Sequence, residues 1–140
     1  IDCDLSLAKL NGTTFREVDF NNCKLLGLLF TDCHPFGLSF SFRHCILNYS
    51  SFYNLKIRKT TFDHSQFEEV DFTESDLTAS KFIECNLNRS TFDHTILEKV
   101  DFRTSHYYSI DPERNRIRKA KFSIPDIVGL LDKYDIEITP

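Results

Sequence analysis

Cysteine and histidine carry the most reactive side chains in this chain, which contains five of each. Two neighbouring pairs, Cys33-His34 and His44-Cys45, combine the sulfur and nitrogen ligands that zinc prefers. Adjacent residues of an extended strand point to opposite sides of the backbone, so the two members of each pair diverge. An odd number of cysteines also cannot form a complete disulfide framework. The sequence therefore predicts neither a metal centre nor a disulfide scaffold, and it implies no cofactor.

Catalytic side chains are equally hard to assemble from this sequence. Paired carboxylates such as Glu68-Glu69 fall among exposed polar residues and lack the buried surroundings that tune a general acid. The chain has only four glycines, with neither a phosphate-binding glycine-rich loop nor the motif that surrounds a nucleophilic serine. We therefore expect a protein that is not an enzyme.

The elements that position all these groups follow a period of five residues. Leu or Phe occupies 17 of 19 regularly spaced central sites. This period fits neither the 3.6 residues of a helical turn nor the two-residue alternation of a strand, so the chain must turn once per repeat. The central sites are Leu5, Leu10, Phe15, Phe20, Leu25, Phe30, Leu47, Phe52, Ile57, Phe62, Phe67, Phe72, Leu77, Phe82, Leu87, Phe92, Leu97, Phe102 and Tyr107.

A second ladder, mostly of small residues, lies two positions before each central site. A large and a small side chain two positions apart point to the same side of an extended backbone, so both ladders face inward. Polar residues follow each centre and predict a solvent-facing corner, which together indicates a solenoid. We interpret the cysteines as core residues of the small ladder, and unpaired buried thiols favour a cytoplasmic location. These cysteines are Cys3, Cys23, Cys33, Cys45 and Cys85.

Several repeats share one pattern: a small residue, Asp or Asn, Leu or Phe, then two polar residues. Clear examples are Val70-Asp71-Phe72-Thr73-Glu74, Ser75-Asp76-Leu77-Thr78-Ala79 and Cys85-Asn86-Leu87-Asn88-Arg89. Over roughly residues 3 to 107 the chain resembles the pentapeptide-repeat family. The resemblance implies an all-β fold, a right-handed quadrilateral β-helix with four repeats in each coil. About five coils would then stack at the usual strand spacing of about 4.8 Å.

The repeat register breaks once. Central sites fall on multiples of five up to Phe30 and two positions later from Leu47 onward. We therefore predict a β-helix over residues 1–122 with a break at about 31–46. The inserted residues either form a bulge that shifts the phase of the tube or, over residues 31–44, a loop that contacts a partner. In the second case Phe36 and Phe40 are the expected anchors, because loops on rigid scaffolds often carry function.

Residues 123–140 are predicted to form a C-terminal cap that consists of a short α-helix and a short strand. Ser123 is placed to cap the helix and Pro125 lies near its first turn. The apolar face of this cap either covers the last coil or joins two chains. The candidate interface residues are Ile127, Val128, Leu130, Leu131 and Tyr134 of the helix, with Ile136 and Ile138 of the strand.

This tail, from Leu130 to Ile138, is similar to the C-terminal end of the quinolone-resistance branch of the family, which includes the Qnr and MfpA proteins. The resemblance implies a homodimer joined through the C-terminus and binding to DNA gyrase or topoisomerase IV in place of DNA. One predicted wall carries Asp71, Glu74 and Asp93 without Lys or Arg and is the candidate contact surface. The expected function is binding of a type II topoisomerase as a partial DNA mimic, or alternatively scaffolding of another cytoplasmic protein through residues 31–44.

A basic cluster precedes the predicted cap and could grip a phosphate group. It lacks interleaved aromatic residues and has Asp111 and Glu113 nearby, so we interpret it as a solvated flank and expect no direct nucleic-acid binding. No apolar run approaches the length that crosses a membrane, so we expect no membrane association. The cluster consists of Arg114, Arg116, Arg118, Lys119 and Lys121.

Overall fold

The computed structural model describes residues 1–140 and shows a chain wound into a four-sided tube. One side is a parallel sheet of four short strands in the order β1-β2-β3-β4. Three short 3-10 helices complete the regular elements, at Phe30–Asp32, Ile127–Leu130 and Asp132–Tyr134. The strands are β1 (Val18–Asn21), β2 (Phe40–Arg43), β3 (Thr61–Asp63) and β4 (Lys81–Ile83).

The other three sides of the tube are held by isolated parallel bridges between successive coils. Lys56 bridges to Asp76, and Gln66 bridges to Asn86, each pair 20 residues apart. Four repeats therefore make one coil, as the period of five predicts. We number the four sides by their repeats. Wall 1 is 50–54, 70–74, 90–94 and 110–114; wall 2 is 55–59, 75–79, 95–99 and 115–119; wall 3 is 60–64, 80–84, 100–104 and 120–122; wall 4 is 45–49, 65–69, 85–89 and 105–109.

At most corners the chain makes a tight turn that begins at the central residue. The amide of Ser75 donates to the carbonyl of Phe72 at 3.0 Å, and Ser80 donates to Leu77 at 2.9 Å. The residue two places after the centre has a positive φ, for example +58° at Glu74 and +60° at Lys99. A positive φ at the third residue is the mark of a type II turn. Side chains at this corner position face solvent, so charged residues there line the edges of the tube.

Stacked aromatic rings fill the tube. The ring of Phe82 lies 4.6 Å from that of Phe62 and 5.2 Å from that of Phe102, with planes within 10° of parallel. A second column runs through Phe52 and Phe72, whose centroids are 5.3 Å apart. These rings belong to a single hydrophobic core that runs along the tube. The prediction that the central ladder stacks inside is confirmed.

The small ladder joins one coil to the next by hydrogen bonds. The Ser105 hydroxyl donates to the Phe82 carbonyl at 2.6 Å and accepts from the Cys85 amide at 3.2 Å. The Cys85 thiol makes the same kind of contact with the Phe62 carbonyl at 3.3 Å. Burial raises the pKa of this thiol to about 12, which keeps it protonated and unreactive. Four of the five cysteines are buried in the tube, whereas Cys3 is exposed.

The register break is confined to the four residues 35–38, which we call the bulge. The His34 amide donates to the Thr13 carbonyl, 21 residues back, but the Ser39 amide donates to Phe15, 24 residues back. Two residues at most are therefore added to the coil here, and from β2 onward the pairing is shifted, with Phe42 opposite Phe20. Coils above and below the bulge keep the same four walls.

Phe40 is buried, so its predicted role as an exposed partner anchor is wrong. It lies opposite Val18 in the sheet, which places it at the small inward site of its repeat. There it is 6% exposed and its ring lies 5.7 Å from Phe30 and 5.0 Å from Phe42. Leu38, ahead of it, is only partly buried. The two-residue insertion therefore turns Phe40 into the core.

The predicted α-helix and strand of the C-terminal segment (residues 123–140) are not observed. Amides of this segment donate three residues back, as from Leu131 to Val128 at 3.0 Å, which gives 3-10 helices. An α-helix this short has little stability of its own, so its packing against the tube decides its form. Ile136 and Ile138 pair with no neighbouring strand. No helix in the structure is long and apolar enough to cross a bilayer.

Candidate functional site

The walls differ sharply in charge, and this difference defines the main candidate surfaces. The four repeats of wall 1 contain five carboxylates and one arginine. The four repeats of wall 2 contain seven cations and two carboxylates. The carboxylates of wall 1 are Asp71, Glu74, Asp93, Asp111 and Glu113, and its arginine is Arg114.

The predicted acidic residues Asp71, Glu74 and Asp93 do lie on the same wall, but they are not equivalent. Asp93 receives two hydrogen bonds from Arg114, at 2.8 and 3.0 Å, and this contact holds the pKa of Asp93 below its ordinary value. The sequence prediction of a wall free of Lys and Arg is therefore wrong at this end, because the next coil places Arg114 beside Asp93.

Asp71 and Glu74 have no cation within salt-bridge distance. Asp71 accepts a hydrogen bond from the amide of Thr73 at 2.9 Å, which fixes its carboxylate at the wall. Glu74 accepts from the hydroxyl of Tyr53 at 3.2 Å, and this bond raises the pKa of the tyrosine. The uncompensated negative charge of wall 1 is thus concentrated near the middle of the tube.

Phe36 at the tip of the bulge is the second candidate surface. Its side chain is 75% exposed, although its amide donates to Nδ1 of His34 at 3.3 Å. Gly37 has a φ of +68° and lies close to the side chain of Arg16. Of the two predicted anchors of this region, only Phe36 is therefore available to a partner.

The C-terminal segment rests on the end of the tube through a few specific contacts. The amide of Ile110 donates to the carbonyl of Gly129 at 3.0 Å. A Cβ at Gly129 would lie 2.1 Å from the carbonyl oxygen of Tyr108, so only glycine fits this close approach. Asp126 lies 3.0 Å from Nδ1 of His106. These contacts hold the segment across the last coil.

Lys133 ties the segment to wall 1. Its ammonium lies 2.7 Å from Glu113 and 3.0 Å from Asp111. These carboxylates raise the pKa of Lys133 above its ordinary value, with Glu113 the stronger partner. The backbone amide of Glu113 and then Lys133 lower the pKa of Asp111. Two of the five carboxylates of wall 1 therefore serve to dock the segment.

An apolar surface remains exposed at the C-terminal end, which we call the tip. Leu130 packs against the core, while the other six predicted interface residues are all exposed. Ile124 adds to them at 87% exposure and was missed by the sequence analysis, because it lies before the apolar run. The exposed tip residues are Ile124, Ile127, Val128, Leu131, Tyr134, Ile136 and Ile138.

The surface offers no site with the geometry of an active centre or a metal centre. The largest depression, about 410 Å³, is an open groove over the first three strands. Its Asp19 carboxylate accepts a hydrogen bond from Ser41, and Asp63 faces Arg43 at 3.4 Å. No three His, Cys, Asp or Glu side chains are close enough to bind a metal ion together.

Sequence comparisons identify the repeat. A profile described as pentapeptide repeat region matches residues 39–122, and one described as pentapeptide repeats (8 copies) matches residues 1–34. The chain belongs to the pentapeptide-repeat family. The two matches stop on either side of residues 35–38, so the bulge is the place where this chain departs from the pentapeptide pattern.

Solved structures of pentapeptide-repeat proteins share the fold. A trypsin-treated R167E form of QnrB1, a plasmid-mediated fluoroquinolone resistance protein, has 17% identity and a TM-score of 0.59. The alignment covers 98% of this chain and 66% of QnrB1, so this chain spans about two thirds of that protein. HetL of Nostoc sp. strain PCC 7120, involved in heterocyst differentiation regulation, has 12% identity, a TM-score of 0.45 and coverage of 86% and 60%.

These likenesses confirm the right-handed quadrilateral β-helix expected from the repeat pattern. They establish the fold of the chain and its place in the pentapeptide-repeat family. Comparison with curated proteins by sequence finds no match.

Proposed function

We propose that this pentapeptide-repeat protein acts through protein–protein contacts and that wall 1 binds the DNA-binding surface of a type II topoisomerase, DNA gyrase or topoisomerase IV. The observation that carries the proposal is the charge of wall 1, five carboxylates against one arginine on a rigid flat face. Duplex DNA presents negative charge every 3.4 Å along each strand, and coils of the tube repeat about every 4.8 Å. Successive coils thus offer carboxylates at a spacing of the same order.

The tip supports the second part of the proposal, a tail-to-tail homodimer. Seven large apolar side chains are exposed there, and contiguous apolar surface of this kind commonly marks an interaction site. Joining two chains through the tip would double the length of the charged rod. QnrB1, which shares the fold, is a fluoroquinolone resistance protein, and this supports a topoisomerase as the partner.

The proposed location is the cytoplasm. Four unpaired thiols are buried in the tube, and protein thiols stay unpaired in a reducing compartment. A bacterial type II topoisomerase would be accessible there.

A supercoiling assay with purified gyrase tests the topoisomerase proposal. The wild-type chain is expected to inhibit supercoiling or to relieve quinolone poisoning at micromolar concentration. The double variant Asp71→Asn/Glu74→Gln should weaken this effect at least about fivefold, since charges at an interface rim set much of the association rate. Asn is tolerated at the first position, because Asn86 makes the same turn contact in wall 4.

The matched control is Glu68→Gln/Glu69→Gln, which removes two carboxylates from wall 4. It should leave inhibition unchanged. Equal loss in both double variants, or no inhibition by the wild type, contradicts binding through wall 1.

Light scattering tests the dimer separately. The wild type should have about twice the 16.4 kDa mass of one chain, and Ile127→Asp/Leu131→Asp should be monomeric with an unchanged thermal transition. A wild-type monomer at high concentration would mean that the tip is only a cap.

The exposure of Phe36 favours one alternative, a scaffold that binds another cytoplasmic protein through the bulge. In that case Phe36→Ser should abolish recovery of a specific partner while the fold is retained. The control is Tyr49→Ser, which removes another exposed aromatic ring from wall 4. Unchanged recovery with Phe36→Ser rejects this alternative.

A further inference from the structure

Wall 2 is strongly basic in a chain whose net charge is −4. Its four repeats carry seven cations, all exposed, against Asp76 and Glu98. Only Arg58 has a carboxylate partner within 4 Å, Asp76 at 2.6 Å, so six cations are uncompensated. The seven cations are Lys56, Arg58, Lys59, Lys99, Arg116, Arg118 and Lys119.

The coil geometry brings these cations together from distant parts of the sequence. The Lys99 amide donates to the Arg118 carbonyl at 3.0 Å, which places the corner residues Lys99 and Lys119 on adjacent coils. Ile96 bridges to Arg116 on the same two coils. Lys99, Arg116, Arg118 and Lys119 thus form one cluster. A second cluster, residues 56–59, lies two coils below on the same flat face.

Neighbouring groups do little to neutralise this wall. Asp76 is buried, and hydrogen bonds from Thr78 and Arg58 outweigh burial and lower its pKa, so its charge is already used. At the edge shared with wall 3, Asp101 is held by Arg103 at 2.9 Å, and Lys121 adds a further cation. At the edge shared with wall 1, Arg114 occupies Asp93. Glu98 is the one other carboxylate on the wall.

The chemistry of wall 2 fits a phosphate backbone better than an acidic protein. Protein interfaces are depleted in lysine and depend on buried aromatic or apolar anchors. Wall 2 exposes no aromatic side chain, and Ile96 is its only outward apolar residue larger than alanine. A nucleic-acid backbone needs only cations held at its phosphates, and such contacts provide affinity without base recognition.

We infer that wall 2 binds the phosphodiester backbone of nucleic acid without sequence preference. This inference replaces the sequence-based interpretation of residues 114–121 as a solvated flank. That interpretation considered the cluster alone, whereas the fold adds Lys56, Arg58, Lys59 and Lys99 to it.

Fluorescence anisotropy with labelled 20-nucleotide single-stranded DNA, duplex DNA and RNA tests the inference. The wild type should bind at 50 mM salt, and affinity for the duplex should fall with a log–log slope of about −0.9 for each phosphate contacted, roughly −3.6 for four contacts. Lys99→Glu/Lys119→Glu should weaken binding at least about tenfold. Glutamate already occupies this corner position with positive φ at Glu69, Glu74 and Glu84, so the variant should fold.

The control variant, Lys81→Glu/Arg89→Glu, changes the net charge by the same amount on walls 3 and 4. It should bind the same probes within about twofold of the wild type, because nonspecific attraction depends on where the cations lie. The inference is overturned if the wild type binds no probe at 50 mM salt, if both double variants lose affinity equally, or if polyglutamate displaces the probes as well as unlabelled duplex does. The last result would identify an acidic protein as the partner.

Discussion

The tube and the C-terminal segment are stabilised in different ways. In the tube every coil repeats the same backbone bonds, ring stacks and small-residue hydrogen bonds, so each contact is supported by its neighbours above and below. The segment depends on a few unrepeated contacts, chiefly those of Gly129 and Lys133. Damage to the tube should therefore lower the stability of the whole fold, whereas damage to the segment should release only the segment.

The largest effect is expected for Phe82→Ala in the tube. Phe82 is 1% exposed between Phe62 and Phe102, so its removal leaves a cavity in the ring column. The free energy of unfolding should fall by about 3–5 kcal/mol, measured by urea denaturation. Phe36→Ala removes an equal ring from the bulge and should change it by less than about 0.5 kcal/mol. Similar losses in both would contradict the closed-tube description.

A smaller effect is expected for Ser105→Ala, which removes one hydroxyl from the small ladder. The Phe82 carbonyl and the Cys85 amide would both lose their partner inside the tube. A loss of about 1–3 kcal/mol follows from leaving buried polar groups unpaired. Ser105→Cys should recover part of this loss, because Cys85 makes the equivalent contact one coil below. If the alanine and cysteine variants are equally stable, the ladder acts only through its volume.

Gly129→Ala should separate the two regions. The added Cβ would collide with the Tyr108 carbonyl, which is backbone and cannot rotate away. Hydrogen exchange at the Ile110 amide should speed up, while the unfolding free energy of the tube changes by less than about 1 kcal/mol. Val128→Ala, at an exposed neighbouring site, should leave that exchange unchanged. A large loss of tube stability in Gly129→Ala would show that the segment and the tube fold as one unit.

Acid should weaken the segment through the same contacts, with the smallest effect of the four. The folded pKa of Asp111 lies below its ordinary value of 3.8, so its pairing stabilises the fold above about pH 4 and is lost as pH falls through the lowered pKa. Limited proteolysis of the segment by an acid-active protease should accelerate about twofold to fivefold between pH 5 and pH 3. Lys133→Ala should show little of this dependence. Equal acid sensitivity in both proteins would exclude the Lys133 contacts as its source.

The sequence was sufficient to predict the tube because repetition gives the same signal many times. The bulge was located to within a few residues, but the direction of Phe40 was not, because it depends on which strand position the two added residues shift inward. The form of the C-terminal segment could not be read from apolar spacing, since a carbonyl of Tyr108, remote in sequence, dictates how closely Gly129 approaches. The joining of Lys56 and Lys99 to Arg116 across coils likewise needs the fold.

Burial of four of the five thiols leaves Cys3 as a natural attachment point. Maleimide dyes or nitroxide spin labels should couple there without any engineered cysteine, because buried protonated thiols react slowly. Cys3 lies in the first coil, at the opposite end of the tube from the tip. In a tail-to-tail pair the two probes would mark the two extremities of the rod, and pulsed dipolar spectroscopy would measure its length in solution.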